Sequence, residues 1–310
     1  MSAKQLLRLA LVLAVLVVLW GAAALARRRE AAPEKGEGFR LPAIKRSEVD
    51  TVVLVRSGDT TVLARKDSTT WTANAHPAAP QAISDLLSAL SDSISGSELV
   101  AERRSSQAGL GLDSAGGVRT QVKGRGKTLA DVVVGHRSPD FSGGYIRRAD
   151  QDASYMVRGR LVDVLSRASD EWRDHRIAVV PPDSVAILEV SRGAKRYQLR
   201  RGDGGWSLSS GGAAESSRVN DVLTSYRTVD AAGFASPAQA DSAQFARPDR
   251  RTRLLRKDGS PIVTLLFDST ATGFWVKPDT GKTVYRVDSY TADRLAPADS
   301  GLRVKATGKK

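Results

Sequence analysis

The hydrophobic pattern of the chain begins with an uncharged run, LALVLAVLVVLWGAAALA, from Leu9 to Ala26. These 18 residues would extend roughly 27 Å as an α-helix, close to the ~30 Å hydrocarbon thickness of a bilayer. Trp20 lies near one end of the run, where an indole ring suits the headgroup region. The pattern therefore predicts that residues 1–26 form a short tail, with Lys4 and Arg8, and a single transmembrane anchor.

Two features bear on the fate and orientation of this segment. Residues 24–26 (ALA) fit the small-x-small pattern of a cleaved signal peptide, but three arginines follow directly and disfavour cleavage. An uncleaved anchor is therefore the prediction, with cleavage as the alternative. The short N-terminal tail favours a periplasmic or extracellular position for the rest of the chain, anchored in the cytoplasmic (inner) membrane. Basic residues flank both ends of the run, so charge alone leaves the orientation open.

Residues 27–46, RRREAAPEKGEGFRLPAIKR, mix charged residues with proline and glycine and show no apolar period. This pattern predicts a basic tether between the anchor and the folded part. A basic run beside a bilayer attracts anionic lipid, and it also serves simply to stop translocation. Both interpretations remain open.

From Ser47 onward the hydrophobic pattern occurs twice. SEVDTVVLVRSGDTTVLARKDSTTWTA, from Ser47, corresponds to DSVAILEVSRGAKRYQLRRGDGGWSL, from Asp183. Each stretch alternates apolar and polar residues on both sides of a turn, as in a hairpin with one buried face. Each ends at a tryptophan, Trp71 or Trp206, and the equivalent positions predict core packing for both rings rather than ligand contact.

A helical stripe follows each hairpin. Residues 80–90 and 217–226 place apolar side chains at i, i+3, i+4 and i+7. Strand pairs then open at Val118 and, in the second copy, at Arg253, and further pairs follow in both copies. The order predicts an α+β fold with two tandem similar repeats, each an antiparallel sheet with one covering helix.

The prolines at positions 181 and 182 place the boundary between the repeats near Val180. The predicted organisation is a first repeat over residues 47–180, a second over residues 181–303, and a basic tail over residues 304–310.

Composition narrows the chemistry. The chain contains no cysteine, which excludes disulfides, thiolate metal sites and cysteine nucleophiles. His76, His136 and His175 are each alone in their segments, and no phosphate-binding loop or zinc-protease string is present. No catalytic, cofactor-binding or metal-ligating residue is therefore predicted, and the chain is expected to be neither an enzyme nor the ATPase of a transporter.

The net charge is +13, and part of it is concentrated in one stretch of the second repeat. The members of this candidate docking face are Arg247, Arg250, Arg251, Arg253, Arg256 and Lys257. On a strand, Arg251 and Arg253 would share a face, away from Thr252 and Leu254. A solvated sheet face is the simplest interpretation, and docking of anionic lipid or of a partner protein is the next. Nucleic acid is disfavoured because no aromatic residues are interleaved.

Two further motifs carry a family resemblance. Residues 111–113 (GLD) precede a strand in the first repeat, and residues 172–176 (WRDHR) close it. With the anchor and the repeat, these make the chain resemble the bacterial domain of unknown function 4340 family. The second repeat departs from the pattern, with residues 244–248 (QFARP) in place of the first motif. If Gly111 serves a turn with positive φ, the second repeat must form that turn differently.

The resemblance implies a role rather than a chemistry. Members of that family are typically membrane-anchored and often encoded beside ABC-2 type permeases, ATPases and proteins like the auxiliary subunits of gliding-motility transporters. It thus implies a non-enzymatic accessory or interaction subunit of an ABC-type export system, with permease and ATPase subunits as partners. No functional residues are carried over. The alternative is an extracytoplasmic module that binds a polysaccharide or a lipid in the cleft between the repeats.

Overall fold

The computed structural model describes residues 38–92, 94 and 96–304, and this part of the chain is mostly β-sheet with few helices. The predicted anchor, residues 27–37 of the predicted tether and residues 305–310 lie outside the described residues. Among the described residues, no helix is both long enough and apolar enough to cross a membrane.

The first sheet has nine antiparallel strands in the order β4-β3-β2-β1-β6-β7-β8-β9-β5. Its strands are β1 (Thr51–Arg56), β2 (Asp59–Arg65), β3 (Trp71–Ala73), β4 (His76–Pro77), β5 (Ser97–Ala101), β6 (Val118–Gly124), β7 (Lys127–Arg137), β8 (Gly143–Arg148) and β9 (Ser154–Arg158).

The second sheet has eight strands in the order β13-β12-β11-β16-β17-β18-β19-β15. Its strands are β11 (Ile187–Arg192), β12 (Lys195–Gly202), β13 (Gly205–Leu208), β15 (Gly233–Phe234), β16 (Arg250–Leu255), β17 (Pro261–Thr270), β18 (Gly273–Pro278) and β19 (Tyr285–Val287). The two remaining strands, β10 (Arg176–Ala178) and β14 (Val229–Asp230), form a separate two-stranded pair. When β4 is left out, the strands of the first sheet lie in the same order as the corresponding strands of the second, from β3 and β13 at one edge to β5 and β15 at the other. This agreement supports the duplication inferred from the sequence.

The helices are α1 (Pro80–Ser91), α2 (Leu161–Leu165), α3 (Ser216–Ser225), α4 (Pro237–Ser242) and α5 (Ser289–Leu295). One face of the first sheet is covered by α1 and α2, and one face of the second by α3 and α5, whereas α4 lies in the segment before β16 and has no buried residue. The predicted stripes correspond to α1 and α3, within one residue at each end. The apolar tail of each repeat, at Leu161, Val162 and Leu165 in the first and at Leu295 in the second, also indicates a short helix. The structure has these helices as α2, which packs beside α1, and α5, which packs beside α3.

The first hairpin of each sheet fixes which side chains face the helices. Arg56 pairs with Asp59 and Arg192 pairs with Lys195, so a two-residue turn closes each hairpin. Gly58 and Gly193 supply positive φ angles of 76° and 56° in these turns, which glycine adopts without strain. Alternation from these turns directs Val52 and Leu54 of β1 into one core and Leu188 and Val190 of β11 into a second, separate core.

The two tryptophans occupy matching positions in these cores. Trp71 and Trp206 are each 6% exposed. The Arg65 guanidinium lies 4.8 Å from the centroid of the Trp71 ring, and that of Arg201 lies 5.0 Å from the Trp206 ring. Each ring therefore packs in the core with an arginine over its face, which confirms the core position predicted for both.

An N-terminal arm precedes each sheet, and here the sequence prediction was wrong. Phe39, Leu41 and Ile44, which fall in the predicted tether, are buried in the first core. In the second sheet, Ile177 and Val180 are buried in the same way, although the sequence placed them at the end of the first repeat. In the first arm Arg40 and Pro42 interrupt the apolar residues, and in the second residues 177–180 (IAVV) are an unbroken apolar run, so neither arm shows a period that would reveal it.

The arms are held by equivalent hydrogen bonds. The Ile44 amide donates to the Leu90 carbonyl at 3.0 Å, and the Val180 amide donates to the Tyr226 carbonyl at 2.9 Å. Both acceptors lie at the C-terminal end of the long covering helix, α1 or α3. The arm is therefore an integral part of each unit.

Residues 172–176 join the two sheets. The Arg173 guanidinium lies 3.5 Å from the centroid of the Phe234 ring in β15, and the His175 ring packs edge-on against the same ring. His175 also bridges two carbonyls, with Nε2 3.0 Å from the Asp170 oxygen and Nδ1 3.0 Å from the Ala231 oxygen. The motif that carries the family resemblance thus has a structural role at the junction.

Gly143 and Gly273 provide a test of the shared architecture. Each begins the third strand of the β6–β9 or β16–β19 meander, and a Cβ there would overlap the backbone oxygen of Val157 or Val287. We expect Gly143→Ala and Gly273→Ala each to lower the free energy of unfolding by about 2–3 kcal/mol, because the neighbouring backbone must move. Chemical denaturation monitored by circular dichroism measures this. Gly204→Ala, where nothing lies within 4 Å of the added Cβ, is the control; an equal loss in all three variants would contradict the prediction.

Candidate functional site

The face of the second sheet opposite the helices carries the predicted arginines. Thr252 and Leu254 in β16 are buried, whereas Arg251 is exposed and Arg253 is half-buried. Arg251 and Arg253 therefore share the open face, as predicted from the strand alternation.

A groove lies on this open face, next to the segment that precedes β16. Its volume is about 740 Å³, within the range of small-ligand sites. It is lined by Glu189, Val190, Ser191, Gly193, Arg196, Tyr197, Gln198, Ser209, Ala246, Arg247, Pro248, Arg251 and Arg253. We call the site formed by Ser191, Arg196, Arg247, Arg251 and Arg253 the cationic groove.

Strand register sets the spacing of the charges. Ser191 in the central strand β11 pairs with Arg196 on one side and with Arg251 on the other. Because neighbouring strands lie about 4.8 Å apart, the backbones of these two arginines are about 10 Å apart with the small serine between them. Arg247 joins them from the adjoining loop. Arg196 and Arg251 therefore lie on the two sides of the groove, and Arg247 lies at its rim.

The charges in the groove are only partly compensated. Glu189 accepts hydrogen bonds from Arg253 at 3.0 Å and from Gln198 at 3.1 Å, one at each carboxylate oxygen. Within residues 38–304 as far as they are described, no hydrogen bond or ion pair engages the guanidinium groups of Arg196, Arg247 and Arg251. Four arginines and one glutamate line the groove, so its formal charge is +4 − 1 = +3.

The other half of the predicted docking face lies elsewhere. Arg250 points to the helix side of the sheet, where its guanidinium lies 2.7 Å from Asp293 Oδ1 and 4.3 Å from the Phe274 ring centroid. Arg256 and Lys257 lie in the turn between β16 and β17, outside the groove. The alternation of β16 separates Arg250 from its neighbours, and a run of six basic residues therefore does not form one surface.

Sequence reasoning missed Arg196, Ser191 and Glu189. The signal that would find them is the two-residue turn between β11 and β12, since it fixes the register that places Arg196 opposite Ser191. The pairing of β11 with β16 is the further requirement, and it joins segments that are far apart in sequence.

The first sheet has a groove in the equivalent place, with different charge pairing. This groove has a volume of about 540 Å³ and includes Arg119. Val55 pairs with Arg119 in the first sheet, and Ser191 pairs with Arg251 at the same place in the second, so Arg119 and Arg251 are equivalent. The sequence comparison matched Val118 with Arg253, and the strand pairing matches it with Arg250 instead, a correction of three residues. Arg119 Nε and Nη2 donate to Asp131 at 3.0 and 2.8 Å, a bidentate ion pair.

Asp131 is the residue that distinguishes the two grooves. In the first sheet Asp131 pairs with Gln121 across β6 and β7. The equivalent pair in the second sheet is Thr264 with Arg253, so Thr264 occupies the position of Asp131. Hydrogen bonds from Arg119 and Gln121 lower the pKa of Asp131, and Asp131 in turn raises the pKa of Arg119. In the first sheet Asp131 therefore pairs with the arginine that corresponds to the unpaired Arg251 of the second. The other charged residues that line the first groove are Arg56, Arg104, Arg147 and Asp113.

Each groove is bordered by a loop that packs on the open face. In the first sheet, Gly111 has a φ of 67° and Leu112 is fully buried beneath the loop. In the second, Phe245 packs beneath Lys277, whose Nζ lies 5.3 Å from the ring centroid, and no residue from 236 to 249 has positive φ. The second loop thus forms its turn differently from the first, as predicted.

The histidines take no part in the groove. His76 lies on the edge strand β4, and burial, with the charge of Arg173, lowers its pKa. The His136 ring packs against Gly111, where a Cβ would collide with it. Among the described residues, no group of three His, Asp or Glu side chains comes together in a way that could hold a metal ion.

One comparison with known proteins gives a match. A family model described as domain of unknown function (DUF4340) matches residues 69–249, more than half of the chain, from the start of β3 almost to β16. No curated protein and no solved structure matches the chain.

The pairing of Asp131 predicts a pH-dependent stability difference. Because its pKa is lowered in the folded state, Asp131 stabilises the fold at pH above the ordinary carboxyl value of 3.8, and this contribution is lost as the pH falls through the lowered pKa. We expect Asp131→Asn to lower the free energy of unfolding by about 0.5–1 kcal/mol at pH 7, and by less below pH 4, as for a partly exposed ion pair. Urea unfolding at several pH values measures this. Asp203→Asn, in an exposed turn, is the control, and a difference that grew towards acid would contradict the prediction.

Proposed function

The chain belongs to the family of the domain of unknown function DUF4340, and on this premise we propose that it is a non-enzymatic, membrane-anchored accessory subunit of an ABC-type export system. Its second sheet provides the docking surface, through the cationic groove. The transporter setting comes from the family resemblance and the anchor from the sequence, and the groove supplies the means of interaction.

The observation that carries the proposal is the set of three unpaired arginines in a concave site. Isolated arginines on a convex surface are well hydrated and need no partner. Arg196, Arg247 and Arg251 instead line one groove, where their mutual repulsion is unfavourable until an anionic group enters. In the first sheet the corresponding arginine, Arg119, is instead paired with Asp131, so the fold accommodates a carboxylate partner at this position. The contrast favours docking over a merely solvated face.

The proposed anchor gives weak docking a larger effect. The uncharged run from Leu9 to Ala26 would confine the described part to the surface of the cytoplasmic membrane, on its periplasmic or extracellular side. Tethering raises the effective concentration of the module near other membrane proteins without any new contact. An accessory subunit can therefore act through one modest charged site.

The alternative, a polysaccharide or lipid site in the cleft between the repeats, has less support. Arg173, His175 and Phe234 pack against each other where the two sheets meet. The tryptophans that would suit sugar stacking, Trp71 and Trp206, lie in the cores. The grooves of 740 and 540 Å³ each lie on one sheet, so a ligand-binding role is better served by the cationic groove than by the junction.

Cross-linked capture from native membranes tests the accessory role. We expect the tagged full-length chain to copurify with a permease and an ATPase subunit, and the double variant Arg196→Glu/Arg251→Glu to lose at least 80% of that recovery, about a fivefold effect of reversing two docking charges. Arg256→Glu/Lys257→Glu is the matched control, since it makes the same charge change outside the groove. Recovery of neither subunit in gentle detergent would contradict the transporter role, and equal loss in both variants would contradict docking through the groove.

A fusion tests the proposed topology. We expect alkaline phosphatase joined after Lys310 to be active in cells, because that enzyme folds only outside the cytoplasm, where its disulfides form. Phosphatase activity normalised to fusion protein measures this. A fusion at the same site to a protein that fluoresces only in the cytoplasm is the reciprocal control. An inactive phosphatase with a fluorescent partner fusion would place the described part inside the cell.

A further inference from the structure

We propose that the cationic groove binds a phosphoryl group, held between Arg196, Arg247 and Arg251. The inference rests on the proposed docking function and assigns a chemical class to what the groove receives. It places the site on the second sheet, where Arg251 is unpaired, because Asp131 occupies the corresponding Arg119 of the first sheet.

The donors present match the acceptors of a phosphoryl group. Each guanidinium offers five N–H donors in a planar fork, the geometry that pairs with two oxygens of a phosphate. Arg196 and Arg251 stand on either side of Ser191, about 10 Å apart at the backbone, a separation that two long side chains can close from opposite sides. Arg247 approaches from the loop, so a tetrahedral anion would have one cation for each of three oxygens.

The charge of the groove favours a dianion over a carboxylate. The net formal charge of the lining is +3, and the only carboxylate in it, Glu189, is already held by Arg253 and Gln198. A carboxylate ligand has one charge and two oxygens, and it would leave one of the three free arginines unpaired. A terminal phosphate carries a charge near −2 at neutral pH and has three terminal oxygens. The Ser191 hydroxyl supplies a further donor at the floor of the site.

The duplicated fold offers a natural comparison. The first sheet presents Arg119 at the position of Arg251, but Asp131 occupies its guanidinium through two hydrogen bonds. In the second sheet Thr264 stands where Asp131 would be, and Arg251 is free. A single side chain therefore decides whether this arginine is paired, and Thr264→Asp is expected to occupy the Arg251 guanidinium without removing any arginine.

Two probes distinguish the source of the phosphoryl group. The full-length chain in neutral phosphatidylcholine nanodiscs is titrated with tripolyphosphate by calorimetry, and its binding to vesicles containing phosphatidic acid, whose headgroup is a terminal phosphate, is measured by flotation. Sodium acetate at equal ionic strength serves as the carboxylate comparison. Binding of tripolyphosphate alone indicates a soluble phosphorylated ligand, and binding of the vesicles with the same sensitivity to variants indicates a lipid headgroup.

Variants decide whether the groove is responsible. We expect Arg251→Gln and Thr264→Asp each to weaken binding of the effective probe at least tenfold. Arg119→Gln removes the corresponding arginine of the first sheet, which Asp131 already occupies, and is expected to change the affinity less than twofold. Lys257→Gln controls for the loss of one positive charge outside the groove. Thermal unfolding of each variant verifies that it is folded, and Arg251→Gln alone is sufficient if Thr264→Asp does not fold.

Three results would overturn the inference: binding of neither probe, acetate binding as tightly as tripolyphosphate, or equal weakening by Arg251→Gln and Arg119→Gln. Its failure is separable from failure of the proposed function. If phosphoryl probes do not bind but the Arg196→Glu/Arg251→Glu variant still loses the transporter subunits, the groove docks a protein and only this inference falls. If the probes bind and no subunit is captured, the accessory role falls and the phosphoryl site stands.

Discussion

The burial of one face of each antiparallel sheet beneath two helices is the constraint on which the rest of the structure depends. Once Val52 and Leu54, or Leu188 and Val190, are committed to the helix side, the residues between them must point the other way. A shift of register by one residue would expose the core and bury the arginines. The hydrophobic core thus fixes the charges that the strands present on the open face, Arg196, Arg251 and Arg253 among them.

Duplication then allowed the two open faces to diverge at little structural cost. The cores keep matching tryptophans, each with an arginine over its ring, because any change there would disturb packing on several sides. On the open faces, a substitution alters charge without disturbing the core, and Asp131 and Thr264 are an example. One copy pairs the arginine at this position with Asp131, while the other leaves Arg251 without such a partner. The charge pairing of an open face can therefore change while the core beneath it is kept.

The sequence predicted the elements whose signal is local. Alternation identified the hairpins, the helical stripes located α1 and α3 to within one residue, and the matching tryptophans identified the cores. The arms were missed because Phe39, Leu41 and Ile44 contact residues far away in sequence and follow no period. Only some of the residues that line the groove were predicted, as members of a basic docking face. Arg251 and Arg253 share a face through local alternation, whereas the partnership of Ser191 with both Arg196 and Arg251 depends on which strands pair, and a single sequence does not encode that visibly.

The packed arm also changes how far the proposed anchor lets the folded part reach. A tether of residues 27–46 would extend at most about 70 Å, at ~3.5 Å per residue. Because Phe39 and the residues after it are part of the first core, only residues 27–37 remain to span the distance, at most about 40 Å. With the proposed anchor, the first sheet would therefore be held close to the membrane. That restriction would favour partners or ligands at the membrane surface over those deep in the surrounding space.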